Sequence, residues 1–302
     1  MINAANTLNN YKWIETEKLT APECVKLKQQ YGLTDEMITY VTDKDENPHY
    51  VYDADENIEL FIVHVPYILD LEQLCYITRP VSFLIHQGTL FTFNESGLDW
   101  VNAIFKTVKQ NPEIKRNDSF VLRALFSLMD SYISIIKAIT KRRNQLDKLL
   151  NKNARNKDLL ALSYLRQTLT FFSSAAQSNL DLLDELPKTY FSKVSDQTKK
   201  EMLEDATIEA EQVRRMITIE TQVVDRIADT FDSIVNNNMN DTMKVLTIWS
   251  LTMAVPTIIT GFYGMNVHLP LAKLGGAWLF IIALSLALVV WLLIALKVHR
   301  QI

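Results

Sequence analysis

Two groups of residues in this chain have types and spacing that could do chemistry. The first is an uncharged stretch, TGFYGMNVHLP, at residues 260–270, between two long apolar runs. It closes the first run with Gly264, Met265 and Asn266, so a neutral amide stands at the mouth of an apolar hairpin. Upstream, Leu246, Ser250, Ala254, Thr257 and Gly261 recur at spacings of 4, 4, 3 and 4. That rhythm puts hydroxyls and small residues on one helix face. Such a face serves either close packing between membrane helices or the lining of an aqueous pore. The second group is acidic. Between Asp196 and Asp241 stand eleven Asp and Glu against five Lys and Arg, with Glu201, Glu204, Asp205 and Glu209 close together. Read alone, these are the acids of a solvated helix face.

Other chemistries find no support. The chain of 302 residues carries a net charge of −4 and no basic run longer than Lys141-Arg142-Arg143, which argues against nucleic acid as a partner. Cys24 and Cys75 are the only cysteines, without a CxxC, so neither a disulfide framework nor a zinc site is indicated. His49, His64, His86, His268 and His299 show no metal-ligand spacing. No GxxxxGK[ST] or GxGxxG loop occurs, and no Ser/His/Asp or Cys/His arrangement stands out, so an enzyme is not expected. The start, MINAANTLNNYKW, lacks a basic segment followed by an apolar core and is not a secretory signal.

The elements that must position these residues divide the chain. A mean hydropathy near zero hides a split: residues 245–296 contain one charged side chain, Lys273, whereas residues 1–244 are polar and rich in charge. Residues 1–98 read as mixed α/β. HYVYDA, IELFIVHV, CYITRPVSFLI and TLFTFN read as strands, and Gln87-Gly88 as a hairpin turn. Residues 21–32, 34–42 and 97–110 read as short helices. From Ser119 to Leu186 the apolar period becomes helical and predicts an antiparallel hairpin, with a turn at 151–157 and a stop at Pro187. A third helix, with Ser195 as N-cap, meets no Pro or Gly until Pro256. In it Val213, Ile217, Val224, Ile227, Phe231 and Ile234 form a coiled-coil seam, with Glu220 as a polar interruption. Residues 195–244 would make a rod roughly 70 Å long, and a rod that long is expected to need neighbours. Residues 245–263 and 277–296 are uncharged, and each is long enough to span a bilayer. Lys244 at one end, and Lys297, His299 and Arg300 at the other, put both chain ends on the cytoplasmic side by the positive-inside rule.

Tyr263-Gly264-Met265-Asn266, ending the first of two C-terminal spans after a long rod, resembles the CorA family of magnesium channels, whose signature is the Gly-Met-Asn triplet. The resemblance covers the whole chain in architecture and is sharpest from about Asn240 to Asn266. It implies an α+β cytoplasmic domain with a long helical stalk and two transmembrane helices per subunit, assembled as a funnel-shaped homopentamer in the cell membrane. The expected divisions are a cytoplasmic α/β domain at 1–115, a helical hairpin at 116–194 and a stalk at 195–243. A pore-lining transmembrane helix at 244–265, an external loop at 266–276, a second transmembrane helix at 277–296 and a cytoplasmic tail at 297–302 follow.

The resemblance also implies roles. Gly264, Met265 and Asn266 would form the selectivity filter. Pore-facing family positions fall on Asn240, Leu246, Thr257 and Gly261, and the spacing adds Ser250 and Ala254 to that face. The family often has a methionine where Ala254 stands, and its proline is commonly one residue before Pro256. Asp205 matches an aspartate of an inter-subunit regulatory metal site, to which Glu204, Glu201 and Glu209 could contribute. The transported and regulatory ion would be Mg2+, with Co2+ and Ni2+ as further cargo and no organic cofactor. Magnesium keeps several waters in most sites. An amide ring can accept hydrogen bonds from those waters, and a weak site lets the ion leave. The partners implied are other copies of the chain, the bilayer and divalent cations, without nucleic acid. The alternatives are a zinc transporter of the same superfamily and a membrane-anchored coiled-coil scaffold.

Overall fold

The computed structural model describes residue 2 and residues 6–8, 11–153, 155–192, 196–265, 267 and 276–298. The chain forms two compact units, Met1–Ala228 and Asp229–Ile302.

The first unit is built on a six-stranded sheet in the order β1-β2-β6-β5-β4-β3. The strands are β1 (Asn6–Leu8), β2 (Tyr11–Glu17), β3 (His49–Asp53), β4 (Ile58–Asp70), β5 (Cys75–His86) and β6 (Thr89–Asn94). Only the β2–β6 pair is parallel. The β5–β6 connection turns at Gln87 and Gly88, with φ of +48° and +73°. Two successive positive φ values are what a tight hairpin demands, and they explain the glycine. Strands β1 and β2 go beyond the sequence reading. In YKWIETE both Trp13 and Ile14 are buried, so the alternation that marks a half-buried strand is lost.

Helices cover the sheet. α1 (Ala21–Tyr31) and α2 (Asp35–Thr42) pack on one face, where Leu27, Met37 and Val41 join Ile58, Leu60 and Phe91 in one core. α3 (Asp99–Gln110) and α4 (Asn117–Asn153) pack on the other, around Phe61, Phe83, Phe105 and Phe120. α5 (Asn156–Glu185) closes an open strand edge. β3 pairs with β4 only from Ile58 to Ile62, which leaves the backbone of His64 to be satisfied otherwise. The fully buried Asn179 accepts from the His64 N–H at 2.9 Å and donates to its carbonyl at 2.9 Å, and the Tyr132 hydroxyl also donates to that carbonyl.

α6 (Gln197–Tyr263) is one helix of 67 residues, about 100 Å at ~1.5 Å per residue. It begins at Gln197; Ser195, read as its cap, lies outside the described residues. It stays helical through Asn236–Asn240 despite the weak helix propensity of asparagine. Within the first unit Val213, Ile217 and Val224 are buried. Ion pairs tie this stretch to the hairpin of the same chain: Arg143–Glu220 at 3.2 Å on α4 and Arg166–Asp225 at 2.9 Å on α5. The seam expected to require neighbouring chains thus finds its first neighbours in its own hairpin.

The second unit holds the rest of α6 and α7 (Ala277–Val298). Among the described residues, three helical stretches are long and apolar enough to cross a membrane: Asn117–Leu150, Gln197–Tyr263 and Trp278–Val298. Burial separates them. Half of the apolar window in α4 is buried in the first unit, against none in α6 and 6% in α7. α4 is therefore a core helix. α6 and α7 present Trp249, Leu246, Ile258, Trp278 and Trp291 outward, each at least 60% exposed. Apolar surface on that scale marks contact with lipid or with other chains.

Candidate ion path and regulatory acids

The uncharged face of α6 is open. Asn240, Leu246, Ser250, Thr257 and Gly261 are exposed, and Ala254 is half-exposed. Its hydroxyls are not idle. Ser250 donates to the Leu246 carbonyl and Thr257 to the Met253 carbonyl, both at 2.8 Å. With each O–H turned back onto the helix, what remains outward is an oxygen that can only accept. Water bound to a cation presents its hydrogens, so such a face suits a hydrated cation. A Cβ at Gly261 would meet nothing within 4 Å. Packing inside the chain therefore does not require glycine there.

Pro256 lies inside the helix and removes the N–H that would bond the Thr252 carbonyl. The sequence suggests neighbouring helices or Thr252 itself as partners for that carbonyl. Its buried hydroxyl instead has no hydrogen-bond partner among the described residues. Thr260 donates to the Pro256 carbonyl at 2.9 Å, which reinforces the turn after the proline. The helix ends at Tyr263. The Gly264 N–H still reaches the Thr260 carbonyl at 2.9 Å, a Cβ on Gly264 would crowd that same oxygen at 3.2 Å, and Met265 is 53% exposed. Asn266 lies outside the described residues, as do residues 268–275.

The acids near the start of α6 do not converge in one chain. Asp205, Glu204 and Glu201 are exposed, and Glu201 accepts from the Gln197 side chain at 2.9 Å. Glu209 is half-buried, and burial, then the negative charge of Asp130 on α4, raises its carboxyl pKa. Asp130 is an acid the sequence analysis did not associate with this group; it is distant in sequence and meets Glu209 only because α4 packs beside α6. No cluster of three or more His, Cys, Asp or Glu able to hold a metal ion occurs among the described residues. Carboxylate oxygens are the right donors for Mg2+.

A mixed α/β unit whose last helix runs unbroken into an exposed apolar stretch, followed by a second exposed apolar helix, is the build of a membrane transport protein. Comparison with known proteins makes this specific. A family model described as CorA-like Mg2+ transporter protein matches residues 9–300, and the chain belongs to the CorA family. The cobalt/magnesium transport protein CorA of Methanocaldococcus jannaschii is 26% identical over 282 residues, covering 92% of this chain and 87% of that protein. The complete structure of the CorA magnesium transporter from the same organism superposes with a TM-score of 0.80 at 22% identity, over 95% of this chain and 90% of that one. The ZntB cytoplasmic domain from Vibrio parahaemolyticus shares the fold of 76% of this chain, covering 90% of its own, at a TM-score of 0.60 and 11% identity.

Proposed function

We propose that this protein conducts hydrated Mg2+ into the cell as a homopentameric channel, with Co2+ and Ni2+ as further cargo. The observation that carries the reading is the acceptor-only hydroxyl face of α6 leading to Gly264-Met265. Five copies of that face around an axis would line a path whose walls accept hydrogen bonds from the waters of the ion. The path comprises Asn240, Leu246, Ser250, Ala254, Thr257 and Gly261. Gly264, Met265 and Asn266 form its outer filter, in which the amide recognises the hydrated ion without the tight grip of a carboxylate. α6 from Lys244 and α7 are the two membrane spans, with both ends of the chain cytoplasmic. A membrane potential is worth about 2.3 kcal/mol per charge per 100 mV, so a divalent ion gains about 4.6 kcal/mol without nucleotide hydrolysis.

Asp205, with Glu201, Glu204 and Glu209 nearby, contributes to a regulatory cation site shared with a neighbouring subunit. Internal Mg2+ bound there neutralises the acids and holds the subunits together; when it falls, repulsion opens the path. Asp205→Asn is expected to weaken inhibition by internal Mg2+ in proteoliposomes by several-fold, and unchanged inhibition would remove Asp205 from the gate. A zinc transporter with the same fold is separated by testing for proton-coupled Zn2+ uptake. Residues 245–263 and 277–296 hold no Asp or Glu to relay a proton.

A further inference from the structure

The buried pair Arg143–Glu220 occupies core positions of two heptad seams. On α4 the inward positions are Tyr132, Ile136, Ile139, Leu146 and Leu150, and Arg143 fills the gap in their 4-3 rhythm. On α6 they are Ala210, Val213, Ile217 and Val224, and Glu220 fills the gap there. Glu220 is only 8% exposed and the Arg143 side chain 14%. The two meet at 3.2 Å, and the Thr140 hydroxyl donates to the other Glu220 oxygen at 2.9 Å. Each seam has thus given up one aliphatic position to a charge, and the two charges face each other.

We infer that the Arg143–Glu220 pair fixes the axial register of α6 on the hairpin, and so makes both residues positioning residues for transport. An aliphatic seam repeats along its length, so packing alone distinguishes poorly between registers one turn apart. α4 and α6 run parallel, since Lys199 lies 3.6 Å from Asp118 near their starts and Glu220 meets Arg143 further along both. A slide of one turn, ~5.4 Å, brings Glu220 level with Ile139 or with Leu146, both fully buried. Either move parts the carboxylate from the guanidinium inside the seam, whereas the observed register sets them 3.2 Å apart as an ion pair. Of the other ties, Arg166–Asp225 is 61% and 40% exposed, where solvent screens the pair, whereas Lys199–Asp118, 9% and 11% exposed, is a second buried tie near the start of both helices. The same helix, α6, runs on to Tyr263.

The test measures register directly. Spin labels at Arg123→Cys and Ile219→Cys, both exposed and far apart along the bundle, report the axial distance. Cys24→Ser and Cys75→Ala remove the native thiols, and dilution with unlabelled chains isolates intrachain distances. The double variant Arg143→Leu/Glu220→Leu keeps an apolar seam, so it folds, whereas either single change leaves a buried charge. It is expected to add a second distance displaced by about one turn, ~5.4 Å, and to shift the internal Mg2+ that halves the flux by several-fold. The swap Arg143→Glu/Glu220→Arg is expected to restore one distance and the wild-type flux. A single wild-type distance in the double-leucine variant overturns the register role. A second distance with unaltered flux overturns the link to transport, which rests on the proposed function. If the wild type itself carries no ion, that proposed function fails while the distances still decide the register.

Discussion

Up to Ala228, α6 buries Ala206, Ala210, Val213, Ile217 and Val224; from Asp229 to Tyr263 it buries Phe231 and nothing more. The backbone is the same α-helix throughout. In the first stretch charged residues surround an aliphatic seam, and the seam is covered by the chain's own hairpin. In the second the charges stop at Lys244, apolar side chains predominate beyond it, and after Phe231 none is fully buried within the chain. A helix that is apolar on all sides is stable only in lipid or among other helices. The difference separates two kinds of residue: those before Ala228 that hold the fold, and those on the uncharged face after it that the chain's own packing leaves open.

Substitutions can break or sharpen that contrast. The largest effect on stability is expected at Ile217, fully buried in the first stretch. Ile217→Ala should cost roughly 2–5 kcal/mol in unfolding of the purified chain. Next comes Asn179→Ala, which removes the partner of both backbone groups of His64. The His64 N–H is then left without its partner while the carbonyl keeps the Tyr132 hydroxyl; the loss should cost about 1–3 kcal/mol, with faster hydrogen exchange at His64 as a second readout. Leu246→Ala, at a site 66% exposed within the chain, should move unfolding by less than ~0.5 kcal/mol while changing flux. Equal losses at Ile217 and Leu246 would erase the contrast.

The smallest effect is on pH dependence. Burial lowers the His64 pKa below its ordinary 6.5. Nε2 lies 2.7 Å from the Glu46 carbonyl and the Thr78 hydroxyl 3.3 Å from Nδ1, an arrangement that suits the neutral ring. The unfolded chain binds this proton more readily. The contribution to stability is present above the unfolded pKa and is lost as pH falls through the lower folded value. Stability of the first unit should therefore decline on acidification below about pH 6.5, less steeply in His64→Gln; identical slopes would acquit His64.

Much of this was legible in residue types. Four strands, the Gln87-Gly88 turn and the long helices follow from β-branched runs and apolar periods. β2 escaped because Trp13 and Ile14 are buried side by side, and β1 because three residues carry no period. The α6 seam was visible, with Glu220 as its interruption, yet the matching seam on α4 was not recognised. Its rhythm breaks at Arg143, and a lone arginine within Lys141-Arg142-Arg143 looks like a solvated run. The pairing of the two interruptions is a long-range fact that periodicity in one helix cannot contain. The same holds for Glu209 and Asp130. The candidate path was legible as a face, but not the inward turn of its hydroxyls, which depends on local rotamers.

Selection of a hydrated divalent ion is proposed to rest on the neutral amide of Asn266. Its most direct test is Mg2+ flux into proteoliposomes of purified protein, wild type beside Asn266→Ala, at several internal Mg2+ concentrations. Wild-type flux is expected to shut off as internal Mg2+ rises, and the variant to lose on the order of tenfold or more, equivalent to about 1.4 kcal/mol at the filter. Flux indifferent to Asn266 would contradict it, and the absence of flux for any divalent ion would favour a membrane-anchored scaffold.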